Sequence, residues 1–152
     1  MRIPARLLKW IMTLWPPFLG AGIYVKHIAP DFREAQVGLR LGFGNRNYVG
    51  VHFGGSLYAM TDPFYMLLLM HRLGRDYIVW DQAGSIEYLK PGRGRVSAHF
   101  QISDDDLVAI QAATAHGDKH CPQFSVNVTD QSGEVVARVH KTLYVRKKRA
   151  AH

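Results

Sequence analysis

The apolar residues of this chain fall into two rhythms, one helical and one alternating, and the helical one dominates. Its core is residues 45–74, NRNYVGVHFGGSLYAMTDPFYMLLLMHRLG. The block opens polar and glycine-bearing, then turns almost wholly apolar. Leu57, Met60, Phe64, Leu67, Leu68 and His71 recur at three- and four-residue steps, the period of a helix. Tyr58, Tyr65, Met66, Leu69 and Met70 fill much of the other side. A helix apolar nearly all round is enclosed on most faces. Asp62 and Pro63 interrupt the block, and the part beyond them is too short to cross a bilayer. The pattern predicts a long helix wrapped by protein, with no transmembrane segment.

The remaining elements read in chain order. Residues 5–15, ARLLKWIMTLW, predict a short helix ended by Pro16-Pro17. Its apolar run is broken by Lys9 and no small-x-small cleavage site follows, so docking on the domain is expected rather than a secretory signal. Docking on a membrane surface through Trp10 and Trp15 is the alternative use. Residues 23–28 and 35–41 alternate as an antiparallel pair around a turn at 29–32. After Gly74 the alternating rhythm takes over: strands at 77–80, 83–89, 95–102, 123–129 and 134–145. Ser103 followed by three aspartates caps a helix reaching residue 115. Asp130-Gln131-Ser132-Gly133 closes the last hairpin. One long buried helix followed by mostly antiparallel strands predicts an α+β fold in which a curved sheet wraps the helix, the hotdog arrangement. A single domain over 1–152 is expected, with 1–17 as a docking helix and 146–152 as a basic tail.

Composition narrows the partners. Of the 152 residues 47% are hydrophobic and 20% charged, which excludes a disordered chain. The formal net charge of +7 favours an anionic partner, but much of it sits in Arg146-Lys147-Lys148-Arg149. No aromatic-interleaved groove or recognition helix accompanies that run, so nucleic acid is not expected. Cys121 is the only cysteine, which fits a reducing, cytoplasmic location. His116, His120 and Cys121 suggest a metal site, but Gly117 breaks the spacing and Lys119 repels a cation, so no metal is expected. Cys121 is read as a buried apolar residue.

The block NRNYVGVHFGGSLYAMTDPFYM resembles the central helix of hotdog-fold acyl-CoA thioesterases. In the phenylacetate-pathway branch of that superfamily an Asn and a Gly precede a His-Gly-Gly triplet, and an Asp follows the second Gly by seven positions. Here Asn47 and Gly50, then Gly54-Gly55, then Asp62 take those places. Phe53 stands where that branch has its triplet His, His52 comes one position early, and Pro63 follows the acid. Together with YIVWDQAGSIEYLKPGRG and GEVVARVHKTLYVRKK, the whole chain is similar to an uncharacterised hotdog-like group catalogued as a domain of unknown function. The resemblance implies acyl-CoA or another acyl thioester as ligand, no cofactor, and assembly as a homodimer or a dimer of dimers.

Thioester hydrolysis needs a polarised carbonyl and a delivered nucleophile. Backbone N–H groups of Gly54 and Gly55 at a helix start suit the oxyanion, and Asp62 suits a general base or nucleophile. Eight helical residues separate Gly54 from Asp62, about 12 Å at ~1.5 Å each, so one helix cannot bring both to one carbonyl. Two subunits would share the site. Asn47, His52, Phe53, Tyr58 and Phe64 are the expected substrate contacts, with Met60 beside them on the cavity wall. Arg93 and Arg95, and along the last strand Arg138, Lys141 and Arg146, are candidates for coenzyme A phosphates. Each has a plain structural use. Asp62 before Pro63 can cap a restarted helix, Asn47 can cap the helix entrance, and the glycine pair can serve close packing. If those uses exhaust the residues, the chain is a non-catalytic module binding acyl chains or thioesters.

Overall fold

The computed structural model describes residues 3–149, so Arg2 and the last three positions of the basic tail lie outside the described residues. Helix α1 (Ala5–Leu14) runs into α2 (Pro16–Ala21), then β1 (Ile23–Ile28) and β2 (Glu34–Arg40). Helices α3 (Gly54–Ala59) and α4 (Phe64–Leu73) follow, then β3 (Tyr77–Tyr88), β4 (Arg95–Gln101), α5 (Asp104–Ala113), β5 (Lys119–His120), β6 (Gln123–Asp130) and β7 (Val135–Lys147). The strands form one antiparallel seven-stranded sheet in the order β1-β2-β4-β6-β7-β3, with β5 paired to β7. The sheet curves around the helical stretch 54–73, as the alternation and the apolar block together predict. No helix among the described residues is long and apolar enough to cross a membrane.

The central helix is interrupted where the sequence places Asp62 and Pro63, between α3 and α4. Pro63 has no N–H to give, so the chain tightens there. Thr61 N donates to Tyr58 O at 2.9 Å and Asp62 N to Ala59 O at 3.3 Å, both three-residue steps. Normal helix resumes with Leu67 N donating to Pro63 O at 2.9 Å. The break leaves Asp62 at the surface while Met60, Thr61 and Phe64 on either side are buried. Two differences have local causes. Pro16 and Pro17 end α1 but also open α2, because proline suits the first helical positions. The two strands expected at 77–80 and 83–89 are one strand, bent by a bulge between Asp81 and Ala83.

The inner rows of β2, β4, β6 and β7 share one core cluster with α4. Ala35, Val37 and Leu39 of β2, Phe100 of β4, Val128 of β6 and Val139 and Leu143 of β7 are all without exposed surface. Phe64 lies between Phe18 and Phe100, with ring centroids 6.0 Å and 5.0 Å away. Tyr65 stacks on Phe124 at 4.7 Å, and its hydroxyl donates to Ser125 O at 2.7 Å. Burial pushes that phenol up to about 12. Helix α1 sets Ala5, Leu8 and Met12 against the same core, closing one side.

Phe64 is therefore a core residue at 1% exposure and not the cavity wall expected of it, and Met60 is likewise fully buried. Phe64→Ala should cost about 3–5 kcal/mol of stability by urea denaturation, the usual range for a buried phenylalanine. A loss under about 1 kcal/mol would mean that Phe64 borders open space.

Candidate active site

A cleft of about 640 Å³ opens at the start of α3, lined by Asn47, His52, Phe53, Gly54 and Gly55 on one side and by Tyr88 and residues 89–92 on the other. The loop before α3 is tied at both ends. Asn45 is buried, and its Nδ2 donates to Ala21 O and Arg40 O, both at 2.6 Å. Asn47 Oδ1 accepts from Val49 N at 3.1 Å and Val51 N at 3.0 Å. Asn47 thus clamps its own loop and does not cap the helix entrance. Across the cleft, His52 N donates to Gly92 O at 3.0 Å, and His52 Nε2–H donates to Gly94 O at 2.9 Å. That leaves His52 Nδ1 buried and without a partner.

Phe53 precedes α3 in extended conformation and no side chain caps the helix. Among the described residues, neither the Gly54 nor the Gly55 N–H has an acceptor. Both glycines sit close against neighbouring aromatic side chains. A Cβ on Gly54 would sit 2.8 Å from Tyr88 Oη, and one on Gly55 would sit 2.5 Å from the Phe53 ring. Tyr88 and the 89–92 loop were not singled out in the sequence. They enter because the β3–β7 pairing carries β3 up to the helix entrance.

A second polar cluster lies under the break between α3 and α4. The Lys141 side chain is only 1% exposed, while that of Asp62 is 54% exposed. Lys141 Nζ donates to Asp62 Oδ1 at 2.8 Å and to Tyr58 Oη at 3.4 Å, and lies 3.3 Å from Asp81 Oδ2. Gly84 makes room for this, since a Cβ there would meet Tyr58 Oη at 2.1 Å. Burial alone would lower the Lys141 pKa, but the Asp62 hydrogen bond and the Asp81 and Asp62 charges outweigh it, and the net direction is upward. Burial holds Asp81 above the usual carboxylate range, partly offset by Lys141.

Several expected roles change. Asp62 does not cap α4, whose N-cap is Pro63 with no side-chain bond. Lys141 is not at a strand end for phosphates but on the inward row of β7. Arg138 Nε donates to Asn127 Oδ1 at 3.0 Å and Arg146 Nε to Gly117 O at 2.8 Å, so both are engaged within the protein. Tyr58 belongs to the Lys141 cluster and lines no part of the entrance cleft. Arg93 and Arg95 are exposed, just past the cleft-lining Gly92. Cys121 is partly exposed, not buried, with Sγ donating to Gln82 Oε1 at 3.2 Å. Among the described residues no cluster of three or more His, Cys, Asp or Glu side chains could hold a metal ion. The structure thus brings Asn47, His52, Phe53, Gly54 and Gly55 together at one cleft and leaves Asp62 outside it.

Burial pushes the His52 imidazole below its ordinary value, against the pull of the Gly94 carbonyl. The unfolded chain takes up this proton near pH ~6.5, the folded chain only at lower pH. The His52 contribution is therefore complete above that value and is lost as pH falls toward the folded-state pKa. Between about pH 7.5 and 5.5 the stability of His52→Gln, by urea titration, should fall less steeply than that of wild type. Removing the cation of the second cluster should show the same trend with pH, for a different reason. Lys141→Met leaves the half-buried Asp81 unpaired, and should cost about 2–4 kcal/mol near pH 8, below the full range for a buried pair because Asp62 can hydrate. The cost should shrink as pH falls, because burial raises the pKa of Asp81 and protonation removes its unpaired charge.

The comparisons agree on the architecture. A protein of unknown function from Pseudomonas aeruginosa, PA5026, called a probable thioesterase, superposes with a TM-score of 0.83 at 17% identity, covering 97% of this chain and 98% of its own. The thioesterase HI1161 from Haemophilus influenzae gives 0.70 at 13% identity, covering 100% and 97%. A mutant of the phenylacetic acid degradation protein PaaI from Thermus thermophilus gives 0.59 at 24% identity, covering 85% and 97%. These likenesses establish the hotdog fold. No curated protein matches the chain. The family described as Domain of unknown function (DUF4442) matches residues 4–145, nearly the whole sequence, and the chain belongs to that family.

Proposed function

We propose that the protein hydrolyses acyl thioesters, acyl-CoA among them, at a site shared between two copies. The observation that carries this reading is the entrance cleft, where two unpaired backbone N–H groups, Gly54 and Gly55, open onto a space large enough for an acyl thioester. The thioester carbonyl oxygen would accept from those N–H groups, with Asn47, His52 and Phe53 around it. Asp62 of a second copy would take a proton from water as the water oxygen attacks the carbonyl carbon. The tetrahedral oxyanion would then collapse, breaking the C–S bond, and the leaving thiolate would take a proton to leave as the thiol. Asp62 is suited to this because Lys141 fixes Oδ1 and leaves Oδ2 without a partner among the described residues. Arg93 and Arg95 beyond the cleft are the groups proposed for coenzyme A phosphates.

Assembly as a homodimer or a dimer of dimers is part of the proposal. Among the described residues strand β3 pairs only with β7, which leaves its other edge open along Tyr77–Tyr88. An open edge of that length is a template for a second strand. Trp80 and Tyr88 on it are exposed, as is Phe53 beside the cleft. Pairing there would bring the α3 entrances and the Asp62 breaks of two copies to one boundary. A cytoplasmic location accompanies this reading, with acyl thioesters and the second copy as the partners.

Asp62→Asn keeps an acceptor for Lys141 and should leave the melting temperature nearly unchanged. It should lower thiol release from the best acyl-CoA by about 10² or more, the scale of a lost general base. Mixing two inactive variants, Asp62→Asn and Gly54→Val, should restore part of the activity, because a mixed dimer carries one intact site. Full turnover by a folded Asp62→Asn protein, or no rescue on mixing, would refute the shared site. The binding-module reading is favoured by one observation, the replacement of the triplet His by Phe53. Tight binding of acyl-CoAs without thiol release from wild type would establish it.

A further inference from the structure

Helix α1 carries two apolar rows, and the fold uses one. Ala5, Leu8 and Met12 are buried in the core. Leu7, Trp10, Ile11 and Leu14 form the other row, with exposures between 44% and 62%. At about 100° per residue these four share roughly 100° of arc, a continuous outward stripe. Exposed Trp15 and Leu19 extend it onto α2. Arg6 and Lys9 flank the stripe, and the Lys9 ammonium lies 5.4 Å from the centre of the Trp10 ring. Over residues 3–30 no acidic residue occurs, the first being Asp31.

A stripe this apolar calls for a covering partner. A second copy is disfavoured by charge. A two-fold contact through this face would bring the basic flanks of both copies into one interface, with no carboxylate on these two helices to answer them. An anionic bilayer surface answers both features. The apolar row enters the acyl boundary, the tryptophans sit at the headgroup level, and the basic flank meets lipid phosphates. We propose that the outward face of α1 and α2 docks the protein on an anionic lipid surface without crossing it. The proposal stands apart from the thioester reading, since none of these residues lines the entrance cleft.

The test is cosedimentation of the full chain with vesicles of phosphatidylcholine alone and with about a third phosphatidylglycerol. Wild type should partition onto the anionic vesicles roughly tenfold or more above the neutral ones, since each basic residue near such a surface contributes about a factor of five. Added salt should reduce that preference. Leu7→Ser/Trp10→Ser/Leu14→Ser changes only exposed side chains, so its circular dichroism and melting curve should match wild type while its pelleting is lost. Arg6→Gln/Lys9→Gln should keep the apolar row and lose the anionic preference. Wild type remaining in the supernatant with both vesicles overturns the proposal, as does pelleting unchanged in both variants. A drop in the mass of the vesicle-free triple variant by sedimentation overturns it too, because the face would then belong to a second copy.

Discussion

An α-helix apolar on nearly all sides has to be enclosed on nearly all sides, and the rest of this structure follows from that requirement. Helix α4 buries Phe64, Tyr65, Leu68, Leu69 and Leu73, which span about half its circumference, and the partly buried Met66 and Leu67 pack against the same core beyond them. A flat sheet covers one face of a helix; a curved sheet covers more. The inner row from Ala35 through Phe100 to Leu143 supplies that curved wall, and α1 closes part of what the strands leave. Each buried aromatic or leucine of this kind contributes about 1.5–3 kcal/mol of transfer free energy, so the enclosed helix outweighs any single polar contact in the molecule.

The polar exception inside that wall is Lys141. Its register between Val139 and Leu143 on β7 forces the side chain inward, under the helix break. An unpaired ammonium there would cost several kcal/mol, and the fold answers with Asp62 from the helix and Asp81 from β3. The two carboxylates are not equivalent. Asp81 is mostly buried and keeps one oxygen, Oδ1, without a partner, whereas Asp62 is largely in solvent. Most of the electrostatic cost therefore falls on Asp81 and Lys141. Asp62 is the member that can be changed with least harm to the fold, which separates its chemistry from its structural use.

Much of this was legible in the chain. The three- and four-residue steps from Leu57 to His71 gave the enclosed helix, and the glycine and aspartate punctuation gave the hairpins. The stretch NRNYVGVHFGG supplies residues on one side of the cleft, where the sequence had placed the candidate contacts. Lys141 was also within reach. Ala137, Val139, Leu143 and Val145 alternate on one face of a strand, and that period places Lys141 on the same face. Charge suggested the surface, and the period was the better guide. Other features could not be read from spacing. Tyr88 reaches Gly54 only through the β3–β7 register, including a bulge that no local pattern announces. Phe64 looked like a pocket wall because helical period does not say which apolar face meets a ligand and which meets a sheet. His52 was expected as a substrate contact; it does line the cleft, and its ring also tethers the loop to Gly94.

The Pro63 break bears on both polar features at once. A continuous helix from Gly54 to Leu73 would keep four-residue hydrogen bonds past Asp62 and hold it to the regular spacing. The tightened turn instead turns Asp62 to solvent with Oδ1 held by Lys141. On the proposed reading this is how one segment serves two sites. Its start offers N–H donors to one cleft, and its break offers a carboxylate to the cleft of a neighbour. Within a single copy each end is incomplete: the cleft has donors and no carboxylate base, and Asp62 has a free oxygen and no donors beside it. The binding-module alternative leaves Asp62 only its structural use, the pairing with Lys141. It accounts for Phe53, which adds apolar surface where the related branch carries an imidazole. Phe53 and Asp62 thus point to different chemistries, and turnover depends on whether the Gly54 and Gly55 donors with a carboxylate suffice where the triplet histidine is missing.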